Sequence, residues 1–104
     1  MTINHHYEVT RSKVKSFFVY VVKTTRGYLY TGISSDPTRR VEEHNSGKRG
    51  AKCLRGQRPV RLVWQLDIPL SKSRALKFEA QIKKLNHINK LLFLMGDLPI
   101  RIPE

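Results

Sequence analysis

Cysteine is almost absent from this 104-residue chain, which contains only Cys53. One cysteine cannot form an intramolecular disulfide, so we expect a reducing compartment and a cytoplasmic location, with association with the nucleoid left open. A nucleophilic role for Cys53 is disfavoured, because this residue lies in a Lys/Arg-rich segment without a histidine close by in the sequence.

Long apolar runs are also missing. No stretch approaches the roughly 20 apolar residues of a membrane span, and the first residues lack the apolar core of a signal peptide. Residues 1–15 are polar and unpatterned, which predicts a flexible arm. The pair His5 and His6 in this arm is too short for a metal-binding tract.

Acidic residues are scarce: eight Asp+Glu oppose twenty Lys+Arg, for a formal net charge of +12. Such an excess repels itself in a compact protein and usually serves a polyanionic partner. Nucleic acid is the leading candidate, because neutralised phosphates supply most non-specific affinity. A ribosome or a membrane surface fits the charge equally well, so charge alone indicates a class of partner and no activity.

The chain has the length of one domain, which we place at residues 16–95, followed by a C-terminal tail at 96–104. Its 39% hydrophobic content suffices for one core of two packed layers. β-branched and aromatic residues predict strands at 16–22, 28–33 and 60–68. Gly27 marks the turn of an antiparallel hairpin between the first two strands.

Two amphipathic helices and a short last helix are predicted. The first begins at Asp36-Pro37 and ends near Ser46-Gly47. The second begins after Ser71 or Ser73 and presents an apolar stripe to the sheet, formed by Ala75, Phe78, Ile82 and Leu85. The last helix runs through about 90–94 and ends before Gly96.

Arg40 and His44 are four residues apart and therefore share one face of the first helix. A guanidinium matches phosphate oxygens, and an imidazole can relay a proton or bind phosphate near neutral pH. The alternative is an ordinary solvated basic helix face, because Arg39 is also in this helix.

Tyr20 and Tyr30 lie on adjoining predicted strands, where side chains on one face can point together. A tyrosine hydroxyl can act as an acid, a base or a charge stabiliser where cations lower its pKa. The alternative is packing, which we assign to Tyr28. Gly32 lacks a side chain and permits close approach of another backbone or a ligand.

Glu79 is the only acid between Leu70 and Gly96. A single carboxylate can hold Mg²⁺ when waters and phosphate complete its coordination. The alternative is an ordinary helical ion pair with Lys83, four residues later. Phosphate contacts are further predicted for a basic loop, which could instead only confer solubility; its candidate residues are Lys48, Lys52, Arg55 and Arg58.

The order of these segments resembles the GIY-YIG domain family, in particular its small stand-alone bacterial members, predicted endonucleases of the UvrC and intron-endonuclease type. The resemblance covers residues 17 to about 94. It is carried by FVYVV, LYTGI, DPTRRVEEHNSGKRGAKCLRG, RPVRLVW and SRALKFEAQIKKL.

The resemblance implies an α+β fold, with a small three-stranded antiparallel sheet flanked by helices. It also implies cleavage of DNA phosphodiesters with Mg²⁺ or Mn²⁺, for example in repair or recombination. Glu79 would hold the metal and Arg40 would stabilise charge on the phosphate. Tyr20 would be the favoured base for an attacking water, while Tyr30 and His44 would position water or phosphate.

The chain departs from the family pattern at Phe18, Val19 and Thr31, where the tyrosines and Gly32 are kept. A late asparagine of the family has no assigned counterpart, although Asn86 and Asn89 lie in range. An alternative is therefore a DNA- or RNA-binding domain with weak or lost nuclease activity, and a third is a basic interaction protein of the ribosome. No second DNA-binding module is evident, so we expect weak sequence specificity, recognition of DNA structure or strand ends, or a protein partner that supplies specificity.

Overall fold

The computed structural model describes residues 15–104, and almost all of the predicted N-terminal arm lies outside them. The predicted α+β fold with a three-stranded antiparallel sheet is confirmed. Its elements, in chain order, are β1 (Phe18–Lys23), β2 (Leu29–Ser34), α1 (Pro37–Ser46), a 3₁₀ turn (Lys52–Leu54), β3 (Arg61–Gln65), α2 (Lys72–Lys83) and α3 (His87–Leu94).

The sheet has the order β2-β1-β3, with both neighbours antiparallel to β1. The central position of β1 explains its continuous apolar sequence, because residues 19–22 are buried on both faces of the sheet. β3 is shorter than predicted. Its pairing with β1 is interrupted by a register shift between Val21 and Val22. Beyond β3, Leu66 still donates to the Val19 carbonyl oxygen, and an isolated bridge joins Leu70 to Phe17 through two hydrogen bonds of 2.8 Å.

The sheet lies between two helical layers, so the expected two-layer core is wrong. One face packs against α2 and α3 in a cluster that includes Val19, Phe78, Ile82 and Phe93. The other face packs against α1 and the loop after it, where Tyr20 joins a second cluster of buried residues. Burial of β1 on both sides requires this arrangement, because each face must be covered by a separate apolar surface.

The segment after α3 packs back onto the first cluster. Leu98, Ile100 and Ile102 contact it with partly buried side chains. The Arg74 Nε donates a hydrogen bond of 2.9 Å to the carbonyl oxygen of Pro103. Residues 96–104 therefore cover one side of the fold, although they contain no helix or strand.

Capping residues determine where the helices begin and end. The carboxylate of Asp36 accepts from the Arg39 N–H, and Gly47 ends α1 with a left-handed φ of 82°. The hydroxyl of Ser71 caps α2. The last helix begins earlier than predicted, at His87, because the Asn86 side chain caps it. None of the helices within residues 15–104 combines the length and the apolar character that a membrane crossing needs.

Tyr28 does not pack as expected, because 60% of it is exposed. The β1–β2 turn is closed by a bond from the Thr24 N–H to the Tyr28 carbonyl oxygen, at 2.9 Å. Tyr28 thus belongs to the turn, one residue before β2 begins, and no element covers it.

Gly32 lies directly opposite Tyr20 in the β1–β2 pair. A Cβ atom at Gly32 would lie 2.7 Å from the Tyr20 Oη and 2.8 Å from its Cζ. The close approach that this glycine permits is therefore that of the Tyr20 ring, which crosses the neighbouring strand.

Replacement of Gly32 by alanine should destabilise the fold, because the Tyr20 ring is buried and cannot move aside freely. We expect Gly32→Ala to lower the free energy of unfolding by about 1–3 kcal/mol, the usual cost of overpacking, in chemical denaturation. Ser35→Ala, at an exposed position just after β2, is the control and should stay within about 0.5 kcal/mol of wild type. A Gly32→Ala protein as stable as this control would contradict the packing described.

Candidate active site

Tyr20 and Tyr30 lie on the same face of the sheet. Tyr20 pairs with Gly32 and Val22 pairs with Tyr30, so the two tyrosines are diagonal neighbours across β1 and β2. α1 packs over this face and inserts His44 between them. The His44 ring centroid is 6.2 Å from that of Tyr20 and 5.5 Å from that of Tyr30.

His44 is 1% exposed and both of its ring nitrogens have partners. The Ala51 N–H donates to Nδ1 at 3.1 Å, and the Tyr20 hydroxyl lies 2.9 Å from Nε2. A backbone N–H can only donate, so Nδ1 must be unprotonated. In neutral His44 the proton is then on Nε2, which donates to the Tyr20 oxygen.

The electrostatics of His44 agree with this neutral form. Burial lowers the pKa of His44, and the positive charge of Arg40 lowers it further, against a smaller opposing effect of Glu43. A proton added at Nδ1 would also break the bond from Ala51. His44 is thus held as a neutral imidazole that positions the Tyr20 hydroxyl.

Both tyrosines hold their protons firmly. Burial raises the pKa of Tyr20 well above its usual value, with a further increase from Tyr30, while Arg40 acts in the opposite direction. Burial also raises the pKa of Tyr30, against the positive charges of Lys83 and Arg40. The resting site therefore contains two neutral phenols near neutral pH.

Arg40 lies next to Tyr20, with 29% of its side chain exposed. Its Nη1 donates to the Glu43 Oε1 at 2.9 Å and also to the carbonyl oxygen of Arg49. Glu43 was not among the predicted site residues. Its spacing of three and four residues from Arg40 and Arg39 is the signal that could have identified it as the partner that orients Arg40.

Glu79 approaches from the opposite side of the sheet, on α2. Its carboxylate is 3.2 Å from the Lys83 Nζ, which lies 6.0 Å from the Tyr30 ring centroid. Its negative charge raises the pKa of both Tyr20 and Tyr30. Side chains from the two faces of the sheet therefore approach one another at the free edge of β2. The five predicted catalytic residues come together at this edge.

The donor set at this edge fits a metal ion only with additional ligands. Within residues 15–104 no three side chains of His, Cys, Asp or Glu are grouped to hold a metal. Glu79 does hold a cation, the Lys83 ammonium, and 16% of its side chain is exposed. Mg²⁺ is commonly bound by one or two carboxylates, with waters and substrate phosphates as the other ligands. Glu79 is thus compatible with Mg²⁺ or Mn²⁺ if a phosphate is present.

The basic loop is fastened to α1. The Asn45 side chain accepts from the Val60 N–H at 2.7 Å and donates to the Val60 carbonyl oxygen at 2.9 Å. A Cβ at Gly50 would lie 2.9 Å from the His44 Cα, so the loop crosses α1 closely enough for Ala51 to reach His44. Sequence reasoning missed this role of Asn45 and Ala51, for which the sequence carries no local signal.

The loop brings part of its positive charge to the site. Arg55 and Arg58 border a surface depression next to His44. Lys48 and Lys52 are exposed along the same loop, whereas Arg58 is half-buried. The structure therefore brings two of the four predicted phosphate-binding residues to His44 and leaves two in solvent.

The two candidates for a late asparagine lie together at the start of α3. The Asn86 Oδ1 accepts from the Asn89 N–H at 2.8 Å. Asn86 thus has a structural role as the helix cap, and Asn89 follows it within the first turn of the helix.

Comparison with known proteins matches residues 16–91 to the GIY-YIG catalytic domain. A UPF0213 protein of Vibrio cholerae is 45% identical over 80 residues, which cover 77% of this chain and 78% of the relative. A UPF0213 protein of Staphylococcus aureus is 49% identical over 76 residues, which cover 73% of this chain and 90% of the relative. The solution NMR structure of a protein from E. faecalis is similar with a TM-score of 0.51 and 33% identity, over 86% of this chain and 95% of that one.

The neutral state of His44 predicts a pH-dependent stability. The pKa of His44 is lowered in the folded protein, so the unfolded chain binds the proton more readily. The resulting stabilisation is complete above about pH 6.5 and is lost as the pH falls below that value. We expect the free energy of unfolding to fall by up to about 1 kcal/mol between pH 7 and pH 5.5.

The contribution of His44 is measured from the free energy of unfolding of two variants across this pH range. In His44→Gln the amide can replace both hydrogen bonds without titrating, so its stability should depend less on pH. His87→Gln, at an exposed position, should retain the dependence of wild type. An equal dependence in wild type and His44→Gln would contradict the assignment.

Proposed function

Because the chain belongs to the GIY-YIG catalytic domain family, whose fold is a nuclease fold, we propose that this protein is a DNA endonuclease that requires Mg²⁺ or Mn²⁺. The convergence of Tyr20, Tyr30, Arg40, His44 and Glu79 at the free edge of β2 carries the proposal. A phosphodiester bound at this edge could contact residues from both faces of the sheet. The formal net charge of +12 favours a polyanionic substrate.

Arg40 is assigned to the phosphate. Its guanidinium is oriented by Glu43 and by the Arg49 carbonyl oxygen, and it remains partly exposed. A fixed fork of N–H donors matches the charge that develops on phosphate oxygens during in-line attack. The contact costs little reorganisation, because Glu43 and Arg49 already restrict the side chain.

Tyr20 is assigned as the base that takes a proton from the attacking water. The hydroxyl must first release its own proton to solvent water, and the phenolate that remains would be stabilised by the hydrogen bond from the His44 Nε2–H. That phenolate would then take a proton from the attacking water. Burial opposes the release of the hydroxyl proton in the resting protein, as the raised pKa of Tyr20 shows. Since Tyr20 is only 1% exposed, we expect the side chains that cover its hydroxyl to rearrange when substrate and water enter.

Glu79 is assigned to the metal ion. When bound, the ion supplies positive charge that lowers the pKa of adjoining hydroxyl groups and neutralises phosphate oxygens. The Lys83 side chain is 51% exposed, and an i,i+4 pair on a helix surface contributes only about 0.3–0.5 kcal/mol. Such a weak ion pair can be displaced from Glu79, and the freed Lys83 can then contact the phosphate.

The expected substrate range depends on whether the protein has a second module that reads DNA sequence. Residues 15–104 form one domain around the sheet, without a second module that could read a DNA sequence. We therefore propose weak sequence specificity or recognition of DNA structure, in repair or recombination, with a protein partner as a second source of specificity. A cytoplasmic location accords with this role.

A second candidate is a nucleic-acid-binding domain with little cleavage. The two raised tyrosine pKa values, the Lys83 ammonium at Glu79 and the use of Asn86 as a helix cap all favour it. Binding would then depend on the basic loop and would not require Glu79.

The two candidates differ in the effect of Glu79→Gln on cleavage. We expect wild type to cut branched, nicked or single-stranded DNA with Mg²⁺ or Mn²⁺. Glu79→Gln should be slower by about a hundredfold or more, as when a main source of electrostatic stabilisation is removed. DNA binding in EDTA should be similar for both proteins. Glu42→Gln removes the same charge at an exposed position on α1 and serves as the control.

Two outcomes would count against the nuclease. Cleavage by Glu79→Gln at the wild-type rate would remove Glu79 from the mechanism. A wild-type protein that binds DNA, but leaves every substrate intact with either metal, would establish the binding domain instead.

The basic loop predicts a specific salt dependence. Neutralisation of Lys48, Lys52 and Arg55 together should flatten the slope of log K against log salt by about 0.9 for each duplex phosphate that the loop no longer neutralises. The control removes three cations from α2 and the C-terminal segment, at Lys72, Lys77 and Arg101, and should change the slope less. Equal slopes in the two triple variants would exclude the loop as the main phosphate-binding element.

A further inference from the structure

Tyr28 is the only exposed aromatic residue within residues 15–104. Its backbone is held on both sides: the Tyr28 N–H donates to the Thr24 Oγ1 at 3.1 Å, and the Tyr28 carbonyl oxygen accepts from the Thr24 N–H at 2.9 Å. The ring therefore projects into solvent from a closed turn. An aromatic group on a fixed backbone loses little conformational freedom when a ligand stacks on it.

The two chain segments that meet at this turn are basic and contain no acid. The Thr25 N–H donates to the Gln57 carbonyl oxygen at 3.2 Å, which fastens the β1–β2 turn to the basic loop. Residues 23–34 and 47–66 contain no Asp or Glu. They contribute eight cations, Lys23, Arg26, Lys48, Arg49, Lys52, Arg55, Arg58 and Arg61. An aromatic ring next to such charge is the composition of a surface that binds single-stranded nucleic acid.

The turn also lies close to the candidate active site. Tyr28 lies opposite Thr24 in the turn, directly beyond the Lys23–Leu29 pair of β1 and β2, and precedes Tyr30 by two residues, which is at most about 7 Å along the chain. This separation corresponds to about two stacked bases at 3.4 Å each. A strand whose phosphate lies at Tyr30 and Arg40 can therefore place a nearby base at Tyr28.

We propose that Tyr28 stacks on an unpaired DNA base close to the scissile phosphate, so that the substrate class is single-stranded DNA or a junction with a single-stranded arm. In a continuous duplex the faces of the bases are covered by their neighbours, and an aromatic ring on the protein surface cannot reach them. The proposal rests on the proposed nuclease function and specifies its substrate.

The test measures binding in EDTA, where no cleavage occurs. Fluorescence anisotropy compares wild type, Tyr28→Ala and Tyr28→Phe on a labelled 12-nucleotide single strand and on the blunt duplex of the same sequence. We expect Tyr28→Ala to bind the single strand about 5- to 100-fold more weakly, the usual effect of losing one base–aromatic stack. Tyr28→Phe retains the ring and should stay within about twofold of wild type.

The duplex and the salt dependence provide the controls. Tyr28→Ala should bind the duplex like wild type and should keep the salt slope on the single strand, because the phosphate contacts are unchanged. Ile88→Ala, which shortens an exposed apolar side chain on α3, should have no effect on either DNA.

An unchanged affinity of Tyr28→Ala for the single strand would overturn the proposal, as would an equal loss on the single strand and the duplex. These results are independent of cleavage. A protein that never cuts DNA can still show the selective loss, and an active nuclease can fail to show it.

Discussion

The buried hydrogen bond between Tyr20 and His44 is the contact on which the candidate site depends. It joins the central strand to α1, and the second nitrogen of His44 joins α1 to the basic loop through Ala51. Tyr20 lies 24 residues before His44 and Ala51 lies seven residues after it, and the three parts of the chain meet at one imidazole. Because that imidazole must be neutral to accept from Ala51, the same contact determines which proton faces the Tyr20 oxygen.

This contact requires the absence of a side chain at Gly32 and at Gly50. A side chain at Gly32 would overlap the Tyr20 ring, and a side chain at Gly50 would approach the backbone of His44. The site is completed at the free edge of β2, where Glu79 and Lys83 arrive from the opposite face. An edge strand is suited to this role, because only there can side chains from both helical layers reach one another.

Much of the fold could be predicted from the sequence, because it depends on local signals. Asp36, Gly47 and Ser71 are used as the capping residues that their types indicate. The third layer does not follow from composition, which indicates only that the chain can fill one core. It follows from the burial of β1 on both faces, because each face needs its own covering surface. Tyr28 was misjudged because strand composition does not show where a strand ends.

The site residues could be named from the sequence, but their protonation and partners could not. The neutral form of His44 depends on an amide seven residues away, and the orientation of Arg40 depends on Glu43 and on the carbonyl of Arg49. Such contacts depend on the path of a loop, for which no periodic signal exists. The pair Glu79–Lys83 was foreseen as an alternative to a metal site, yet the structure places it next to Tyr30.

The most direct measurement is an NMR titration with Mn²⁺ in the presence of a DNA oligonucleotide, whose phosphates supply the additional metal ligands. The paramagnetism of Mn²⁺ broadens amide signals near its binding site. If the edge of β2 is the metal-dependent site, signals of Tyr30, Arg40 and Glu79 should broaden first and together, and Glu79→Gln should abolish the effect. Broadening centred on Asp97 or Glu104, with those three signals unchanged, would contradict the account.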